Sequence, residues 1–217
     1  MARTSRKEEA ASPSGKTGPS VVARLGRRLR SSAGVVWHYP ERILHRIRGA
    51  SARRRVARAA PIGSALFICH GNVCRSPFAA IVFARAMRDA TGTDLLVSSA
   101  GFIGPGRQPP SAALDAARRR HVDMTEHRSA LVTPQSLAVA DLVVVMGAEQ
   151  AVALRNTIAR PRGTVLVLGD LDPHPIVRRT IRDPWGGSDA VFDESYDRVE
   201  RCVAELVRSL TESAAAR

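Results

Sequence analysis

From residue 64 onward, short apolar stretches alternate with longer segments of helical periodicity, and this alternation constrains the fold more than any other feature. The apolar stretches have the length of buried strands; they are 65–69, 95–97, 142–146 and 164–168. The segments between and after them have the length and pattern of helices; they are 77–87, 111–120, 129–138, 149–158 and 194–210. Such alternation indicates right-handed βαβ units. We therefore predict an α/β fold: a four-stranded parallel sheet with helices on both faces, a flavodoxin-like three-layer architecture.

Positive charge is concentrated in the first part of the chain. The whole sequence of 217 residues has a formal net charge of +13. Residues 1–60 contain 15 Lys and Arg against 3 Asp and Glu, whereas residues 61–217 contain 18 against 17. Residues 1–20 are rich in Ser, Pro, Gly and basic side chains, a composition typical of disordered segments. We therefore predict a basic, partly disordered extension at 1–62 and a globular domain at 63–217.

Part of this extension has the pattern of a short amphipathic helix. Within residues 41–48, Ile43, Leu44 and Ile47 share one helical face and arginines occupy other positions. Residues 21–60 are therefore interpreted as a contact for an anionic membrane surface or an acidic protein; the alternative is a solvated extension without a partner. Nucleic acid is a disfavoured partner, because the segment has no DNA-binding motif and only two aromatic residues.

Cysteine content and hydropathy indicate a reducing, cytoplasmic compartment. Three cysteines cannot form a disulfide framework, and no paired CxxC motifs of a zinc site occur. The first ten residues lack the apolar core that a secretory signal needs. No stretch approaches the roughly 18 apolar residues of a membrane-spanning helix. A cytoplasmic protein is therefore expected. The basic extension suggests a further possibility, peripheral contact with the inner membrane surface.

The loop between the first predicted strand and the first predicted helix has the composition of an anion-binding site. It reads Cys-His-Gly-Asn-Val-Cys-Arg-Ser at 69–76 and is followed by Pro77. Gly71 and Asn72 tolerate positive φ, so the loop can curl until successive N–H groups face inward. A helix N-terminus adds unpaired N–H groups and partial positive charge, which favour an anionic thiolate. Arg75 can hold two phosphoryl oxygens with one planar guanidinium.

These residue types predict covalent phosphoryl transfer. In this interpretation Cys69 attacks phosphorus as a thiolate, and Ser76 donates a hydrogen bond to the sulfur when it leaves. A bare Cys-x5-Arg spacing is weak support, since a lone cysteine at the end of a strand is most often structural. The glycine, the asparagine, the trailing Ser-Pro and the strand–loop–helix context together favour the catalytic interpretation.

This loop resembles that of the low-molecular-weight protein tyrosine phosphatase family, which reads C-x-G-N-x-C-R-S-P. The resemblance extends over about residues 64–210 and includes four further segments in the family's order. They are Ser99-Ala100-Gly101, Glu126-His127-Arg128-Ser129, Ala140-Asp141 and Asp183-Pro184-Trp185. The resemblance implies hydrolysis of phosphotyrosine through a phosphocysteine intermediate, with no metal and no other cofactor.

The resemblance also assigns the catalytic roles. It implies that Cys69 is the nucleophile, Arg75 the phosphate clamp and Asp183 the general acid and base. An acid is needed because tyrosine leaves as a phenolate, whose conjugate phenol has a pKa near 10. The other residues of the phosphate-binding loop are His70, which we place at its rim, and Gly71, Asn72, Val73, Cys74 and Ser76.

Supporting roles follow from the same resemblance. It implies that Ser99 and His127 lie behind the loop and hydrogen-bond with Asn72 and Ser76, fixing the loop backbone. Trp185 resembles the aromatic residue that flanks a substrate ring. The opposite wall departs from the family, because the segment after Ser-Ala-Gly is shortened and carries no matching aromatic residue.

Three questions stay open at this stage. Phe102 or Ile103 is the candidate for the opposite wall of the cleft. Val73 favours phosphotyrosine, since the protein-arginine phosphatase branch has Thr at this position, but a phosphoarginine phosphatase and a non-hydrolytic phosphoprotein-binding module remain alternatives. Cys74 either traps an oxidised nucleophile as a disulfide, as in the family, or packs as a small apolar side chain.

The expected partner is a phosphotyrosine-bearing protein. Bacterial relatives often act on autophosphorylated tyrosine kinases of exopolysaccharide export, which the resemblance offers as the partner class.

Overall fold

Four parallel strands form the central sheet of the computed structural model, which describes residues 39–176 and 178–215. The strands are β1 (Ser64–Cys69), β2 (Leu96–Gly101), β3 (Leu142–Val145) and β4 (Thr164–Val167). Their order across the sheet is β2-β1-β3-β4, and every neighbouring pair is parallel. The two central strands, β1 and β3, are buried along their whole length, which explains their unbroken apolar sequences. The predicted four-stranded parallel sheet is confirmed.

Six α-helices surround the sheet in the described residues. They are α1 (Tyr39–Ala59), α2 (Arg75–Thr91), α3 (Ser111–Arg118), α4 (Pro134–Val139), α5 (Ala148–Ala153) and α6 (Asp189–Ala215). A π-helical turn, Leu154–Ile158, continues α5, and a 3-10 helix, Leu168–Leu171, follows β4 directly. No helix of the described residues is both long and apolar enough to cross a membrane.

The sheet divides the core into two clusters of buried side chains. The larger cluster joins α1, α2, α3 and α6 to one face, where Phe67 and Val144 point. The smaller cluster joins α4 and α5 to the other face, where Ile68 and Val145 point. Successive strand residues thus alternate between the two faces, as a pleated strand requires. The predicted three-layer architecture with helices on both faces is confirmed.

The strand order creates a crevice at the carboxyl end of β1. The chain runs from β1 outward to β2 and then crosses back past β1 to reach β3. At such a reversal the loops diverge to opposite sides, and open parallel sheets bind their ligands there. Cys69 is the last residue of β1 and pairs in register with Gly101, the last residue of β2.

Some element boundaries differ from the sequence prediction. The helix expected at 129–138 begins only at Pro134, because Thr133 and Ser136 form a reciprocal capping box that starts the helix there. The preceding Leu131 instead forms a β-bridge with Gly101. The last helix begins at Asp189 rather than near 194, and it extends to Ala215.

Helix α1 is longer than the short amphipathic helix that the sequence predicts. Its inward side buries Ala52 and Val56 in the larger core cluster, whereas the apolar residues of 41–48 are exposed. One compact unit of the structure begins at Pro40. The boundary between extension and globular domain at residue 62 stays a prediction. Residues 1–38, which include the predicted disordered leader and much of the basic extension, lie outside the described residues.

Candidate active site

The loop after β1 curls back beneath the first turn of α2. Asn72 has a φ of 51°, the left-handed conformation that asparagine tolerates better than most residues. Helix α2 then begins at Arg75, two residues before the predicted Pro77, and Cys74 precedes it without a side-chain cap. The N-terminal turn of α2 therefore follows the loop directly, as an anion site built on a helix N-terminus requires.

The sulfur of Cys69 is buried and receives hydrogen bonds from the loop. The backbone N–H of Asn72 donates to Sγ at 3.2 Å, and the hydroxyl of Ser76 donates to it at 3.1 Å. Cys69 is only 2% exposed, so these donors act in a medium of low dielectric constant. Both donors are directed at the sulfur, where they can stabilise the negative charge that develops on it when it acts as a leaving group.

The side chain of Asn72 is the centre of a hydrogen-bond network behind the loop. Its Nδ2 donates to the hydroxyls of Ser76, at 2.9 Å, and Ser99, at 2.8 Å. Its Oδ1 accepts from the N–H of Ala130 at 2.8 Å, and Asn72 is fully buried. Every polar atom of this amide is therefore used, which fixes the left-handed residue in place.

His127 contacts the same residue through its backbone. His127 Nε2 lies 2.8 Å from the carbonyl oxygen of Asn72, and because that oxygen can only accept, Nε2 carries the proton. Ser99 and His127 thus both contact Asn72. No hydrogen bond joins either of them to Ser76 in the described part of the chain, so Ser76 is reached through the Asn72 amide.

Gly101 allows β2 to approach the loop closely. A Cβ at this position would lie 2.8 Å from the backbone nitrogen of Asn72 and 2.9 Å from the carbonyl oxygen of His70. Both are backbone atoms of the loop and cannot turn aside as a flexible side chain would. The glycine of the Ser-Ala-Gly motif is therefore a packing requirement of the phosphate-binding loop.

Substitution Gly101→Ala is expected to disturb the loop and the fold together. Overpacking of this kind costs about 1–3 kcal/mol, and a displacement near 1 Å at a reacting group costs about 100-fold in rate. We expect a lower unfolding temperature and a fall in turnover of p-nitrophenyl phosphate of tenfold or more. The matched control is Gly63→Ala, whose Cβ would meet only Asp141 Oδ2 at an ordinary 3.6 Å. Equal effects of the two substitutions would contradict this explanation.

Arg75 connects the loop to the segment that carries Asp183. Its side chain is 4% exposed; Nη1 donates to the carbonyl oxygen of Ile181 at 3.0 Å, and Nη2 pairs with Asp183 Oδ2. The buried Nε of Arg75 has no hydrogen-bond partner among the described residues. A guanidinium held in this way is aligned for an oxyanion, because its position is fixed while one donor is still unused.

The segment before Asp183 is anchored on both sides. Ile181 is fully buried, and its N–H donates to the carbonyl oxygen of Met146 at 2.9 Å. The hydroxyl of Ser195 on α6 donates to the carbonyl oxygen of Arg182 at 3.0 Å. Asp183 itself is partly exposed, and its Oδ1 accepts from the N–H of Trp185 at 3.2 Å. The carboxylate therefore lies at the mouth of the site on a fixed backbone.

Farther back, the same segment is held by buried carboxylates. Asp172 accepts from Arg198 at 2.8 Å and from Arg201 at 2.9 and 3.1 Å. Burial alone would raise the pKa of Asp172, but these arginines and the N–H of His174 lower it below its usual value. Asp170 similarly binds Arg179 through two contacts. Sequence analysis assigns no function to these aspartates, and the structure gives them a supporting place behind the acid segment.

The cleft above the loop has one aromatic and one aliphatic wall. Its volume is about 300 Å³, and its lining includes Cys69, Arg75, Asp183, Trp185 and Ile103. Trp185 and Ile103 are 59% and 44% exposed. Phe102 packs instead against the smaller core cluster. Of the two candidates for the opposite wall, Ile103 is the one that lines the cleft.

Arg107 is a cleft residue that sequence analysis did not single out. Its Nε donates to the carbonyl oxygen of Gly104 at 2.8 Å, and its Nη2 donates to those of Gly71 at 2.9 Å and Ile103 at 3.1 Å. One guanidinium thus ties the wall segment to the phosphate-binding loop. The pattern could not reveal this, because the acceptors are backbone oxygens brought together only by the fold.

Ser129 fixes the other end of the wall segment. Its hydroxyl donates to the carbonyl oxygen of Gly104 at 2.5 Å and accepts from the N–H of Arg107 at 2.9 Å. Backbone bonds between 129 and residues 106 and 107 complete the junction. The Glu-His-Arg-Ser motif therefore supports two parts of the site, the loop through His127 and the wall through Ser129.

Cys74 and Tyr196 pack beneath the loop. Burial and the neighbouring Cys69 raise the pKa of the Cys74 thiol to about 12, so Cys74 is a neutral thiol near neutral pH. Burial likewise raises the pKa of Tyr196, whose hydroxyl donates to the carbonyl oxygen of Cys74 at 3.4 Å. Tyr196 stacks on Phe78 with ring centroids 3.9 Å apart. The redox role of Cys74 stays a prediction.

The structure brings the predicted site residues to one place at the carboxyl end of β1. Those that line the cleft are Cys69, His70, Gly71, Val73, Cys74, Arg75, Asp183 and Trp185. Those that lie behind the loop and contact it are Asn72, Ser76, Ser99 and His127. His70 is exposed at the edge of the cleft.

Known proteins match this chain over the same region. The family model described as low molecular weight phosphotyrosine protein phosphatase matches residues 64–216. The low molecular weight phosphotyrosine protein phosphatase of Sus scrofa is 30% identical over 145 residues, which cover 64% of this chain and 90% of that protein. A protein-arginine-phosphatase of Bacillus subtilis (strain 168) is 28% identical over 146 residues, covering 67% and 95%.

Solved structures match the fold as well. Vibrio vulnificus Wzb in complex with benzylphosphonate superposes with a TM-score of 0.60 at 25% identity, covering 69% of this chain and 99% of that one. A phosphorylated serine mutant of the arginine phosphatase YwlE superposes with a TM-score of 0.61 at 25% identity, covering 71% and 99%. The segment before residue 64 lies outside the family match.

Proposed function

Because the chain belongs to the low molecular weight phosphotyrosine protein phosphatase family, we propose that it hydrolyses phosphotyrosine in proteins through a phosphocysteine at Cys69. The observation that carries the proposal is the convergence of a buried sulfur, a guanidinium and a carboxylate on one cleft. A phosphate monoester needs a nucleophile, an oxyanion clamp and a proton donor, and these three groups supply them.

In the first step the Cys69 thiolate attacks phosphorus, and the bond from phosphorus to the tyrosine oxygen breaks. Arg75 holds equatorial oxygens through donors that include its free Nε. Asp183 delivers a proton to the departing oxygen, so tyrosine leaves as a neutral phenol. An arriving phosphate competes with Asp183 for Arg75, so the carboxyl is released from the ion pair as the substrate binds.

In the second step water attacks the phosphocysteine, and the bond from sulfur to phosphorus breaks. Asp183, now a carboxylate, takes a proton from the water and regenerates the acid. The departing sulfur becomes a thiolate again, and the hydrogen bonds from Ser76 and from the N–H of Asn72 stabilise its charge. Inorganic phosphate is released, and the protein returns to its starting state.

The choice of phosphotyrosine over phosphoarginine rests on the cleft above the loop. Trp185 offers a flat face to a phenyl ring, and Ile103 offers a second apolar surface. Val73, which lines the same cleft, has no hydroxyl with which to contact a guanidinium group. The benzylphosphonate bound by Vibrio vulnificus Wzb likewise joins an aromatic ring to a phosphorus oxyanion.

Competing phosphopeptides test this choice. With a metal chelator present, we expect kcat/KM for a phosphotyrosine peptide to exceed that for the phosphoarginine analogue by about tenfold or more. Val73→Thr should narrow the ratio several-fold, in keeping with about 1 kcal/mol for one neutral hydrogen bond. The control is Val152→Thr, which makes the same change at an exposed position of α5.

Two results would contradict the proposal in different ways. Higher kcat/KM on the phosphoarginine peptide would select the arginine phosphatase instead. Tight binding of phosphotyrosine peptide without phosphate release would select the non-hydrolytic binding module.

We propose the partner and the location along with the activity. The partner is a phosphotyrosine-bearing protein of the cytoplasm, and the family resemblance suggests bacterial tyrosine kinases of exopolysaccharide export as its class.

A further inference from the structure

A second concave surface, far along the sheet from β1, is lined by arginines. The cleft of about 520 Å³ follows the edge strand β4 and the turns around it. We call its four exposed guanidinium residues the arginine cleft: Arg55, Arg155, Arg160 and Arg162. A fifth lining residue, Arg179, is already paired with Asp170.

The charge of the arginine cleft is only weakly balanced by carboxylates of the described residues. None of its four arginines forms an ion pair there with a carboxylate. Arg162 lies near Asp141 and helps to lower the pKa of that carboxyl, but less than the hydrogen bonds from Gly63 and Ser64 do. Like charges around one depression repel one another, so an anionic partner would be attracted.

Helix α1, which contributes Arg55 to the cleft, also carries exposed apolar side chains. Ile43, Leu44 and Ile47 are 47%, 40% and 60% exposed. With 3.6 residues per turn, Leu44 lies on the same side of α1 as Arg55, eleven residues later. The outward side of α1 therefore carries apolar residues and the exposed Arg46 near its start, and Arg55 near its end.

The cleft itself contains a further exposed apolar residue. Val152 lines it and is 47% exposed, one turn before Arg155 on the same helical segment. Arginines interleaved with exposed aliphatic side chains are the composition of a surface that lies in a membrane interface. The arginines meet phosphate oxygens there, and the aliphatic groups enter the acyl boundary.

Other polyanions fit this surface less well. Nucleic acid would leave the aliphatic side chains unused, and the only exposed aromatic side chain that the structure describes, Trp185, is in the catalytic cleft. An acidic peptide added to the edge of β4 would meet Arg55, whose Nη1 already donates to the carbonyl oxygen of Val165 at 3.0 Å. We propose that the arginine cleft and the outward side of α1 dock the protein on an anionic phospholipid bilayer.

Vesicle binding of the full chain tests the proposal, independently of catalysis. The probes are phosphatidylcholine vesicles with and without phosphatidylglycerol, and the readout is co-sedimentation. The charge variant combines Arg155→Gln, Arg160→Gln and Arg162→Gln. Its control removes the same charge from α2 and α3, on the β2 side of the sheet, with Arg85→Gln, Arg88→Gln and Arg118→Gln. Unchanged turnover of p-nitrophenyl phosphate verifies folding.

We expect the charge variant to bind anionic vesicles roughly 10- to 100-fold more weakly, given the contribution of each basic residue near such a surface. The control should change affinity less than about threefold. Binding should also weaken when Ile43→Ser and Ile47→Ser are combined, but not with Leu96→Ser and Val139→Ser, two apolar residues that are more exposed and lie elsewhere on the surface.

Three results would overturn the proposal. One is an equal loss of affinity for anionic vesicles in the charge variant and in its control, because the position of the arginines would then not matter for binding. Another is a pair of results: the Ile43 and Ile47 variant still binds anionic vesicles as well as the unmodified protein, and the charge variant loses affinity for single-stranded RNA. That pair would select nucleic acid as the partner. The third is equal affinity of the unmodified protein for vesicles with and without phosphatidylglycerol.

Discussion

Substitution Cys69→Ser is expected to abolish hydrolysis of p-nitrophenyl phosphate and of phosphotyrosine peptides. Serine keeps the position and much of the volume, but its hydroxyl is a far weaker nucleophile than a thiolate at neutral pH. The two hydrogen bonds that now reach the sulfur would reach a neutral hydroxyl instead. We expect kcat to fall by at least about four orders of magnitude, measured by phosphate release.

The control for this experiment is Cys202, a buried cysteine that does not line the cleft. Cys202→Ser changes the same atom inside α6, where Cys202 is fully buried and has no place in the cleft. It should lower stability while leaving turnover of the folded fraction near the unmodified value. Retained turnover in Cys69→Ser would end the phosphocysteine mechanism, whatever the stability of the variant.

Substitution Asp183→Asn should slow hydrolysis by different factors for substrates with different leaving groups. Without the acid, a tyrosine peptide must depart as phenolate, and we expect kcat to fall by roughly 10²- to 10⁴-fold. The loss should be much smaller for p-nitrophenyl phosphate, whose leaving group is a more stable anion. The measurement is the ratio of the two losses under identical conditions.

The ratio of the two losses in kcat also distinguishes loss of the proton donor from damage to the phosphate clamp. Asp183 pairs with Arg75, so its replacement also removes an ion-pair partner of the phosphate clamp. Damage to the clamp would slow both substrates equally, whereas loss of the proton donor slows mainly the peptide. Equal losses would therefore refute the role of Asp183 as the acid. Asp189→Asn, at the exposed start of α6, is the charge-matched control.

The sequence predicted the layers and the phosphate-binding loop because their signals are local. Unbroken apolar runs identify the buried central strands, and the loop residues are adjacent in the chain. Asp183 was predictable only through resemblance, since 108 residues separate it from Arg75 and no spacing rule joins them.

What sequence reasoning missed depends on contacts between distant backbone groups. Arg107 binds three carbonyl oxygens, and any residue type can supply a carbonyl oxygen. The helix start at Pro134 was misplaced because apolar spacing at 129–133 mimics a helix, while Leu131 pairs with Gly101. The inward side of α1 was also hidden, since small residues such as Ala52 give little periodic signal.

Helix α1 bears on the acid segment although it precedes the family match. His45 Nε2 lies 2.7 Å from the carbonyl oxygen of Asp172, and Arg53 pairs with Glu205 on α6. A chain cut at residue 63 would lose these contacts and the buried Val56 together. The loop that ends in Asp183 would keep its contacts with Arg198 and Arg201 but lose the support of His45, so the folded unit of this protein extends beyond the segment its relatives share with it.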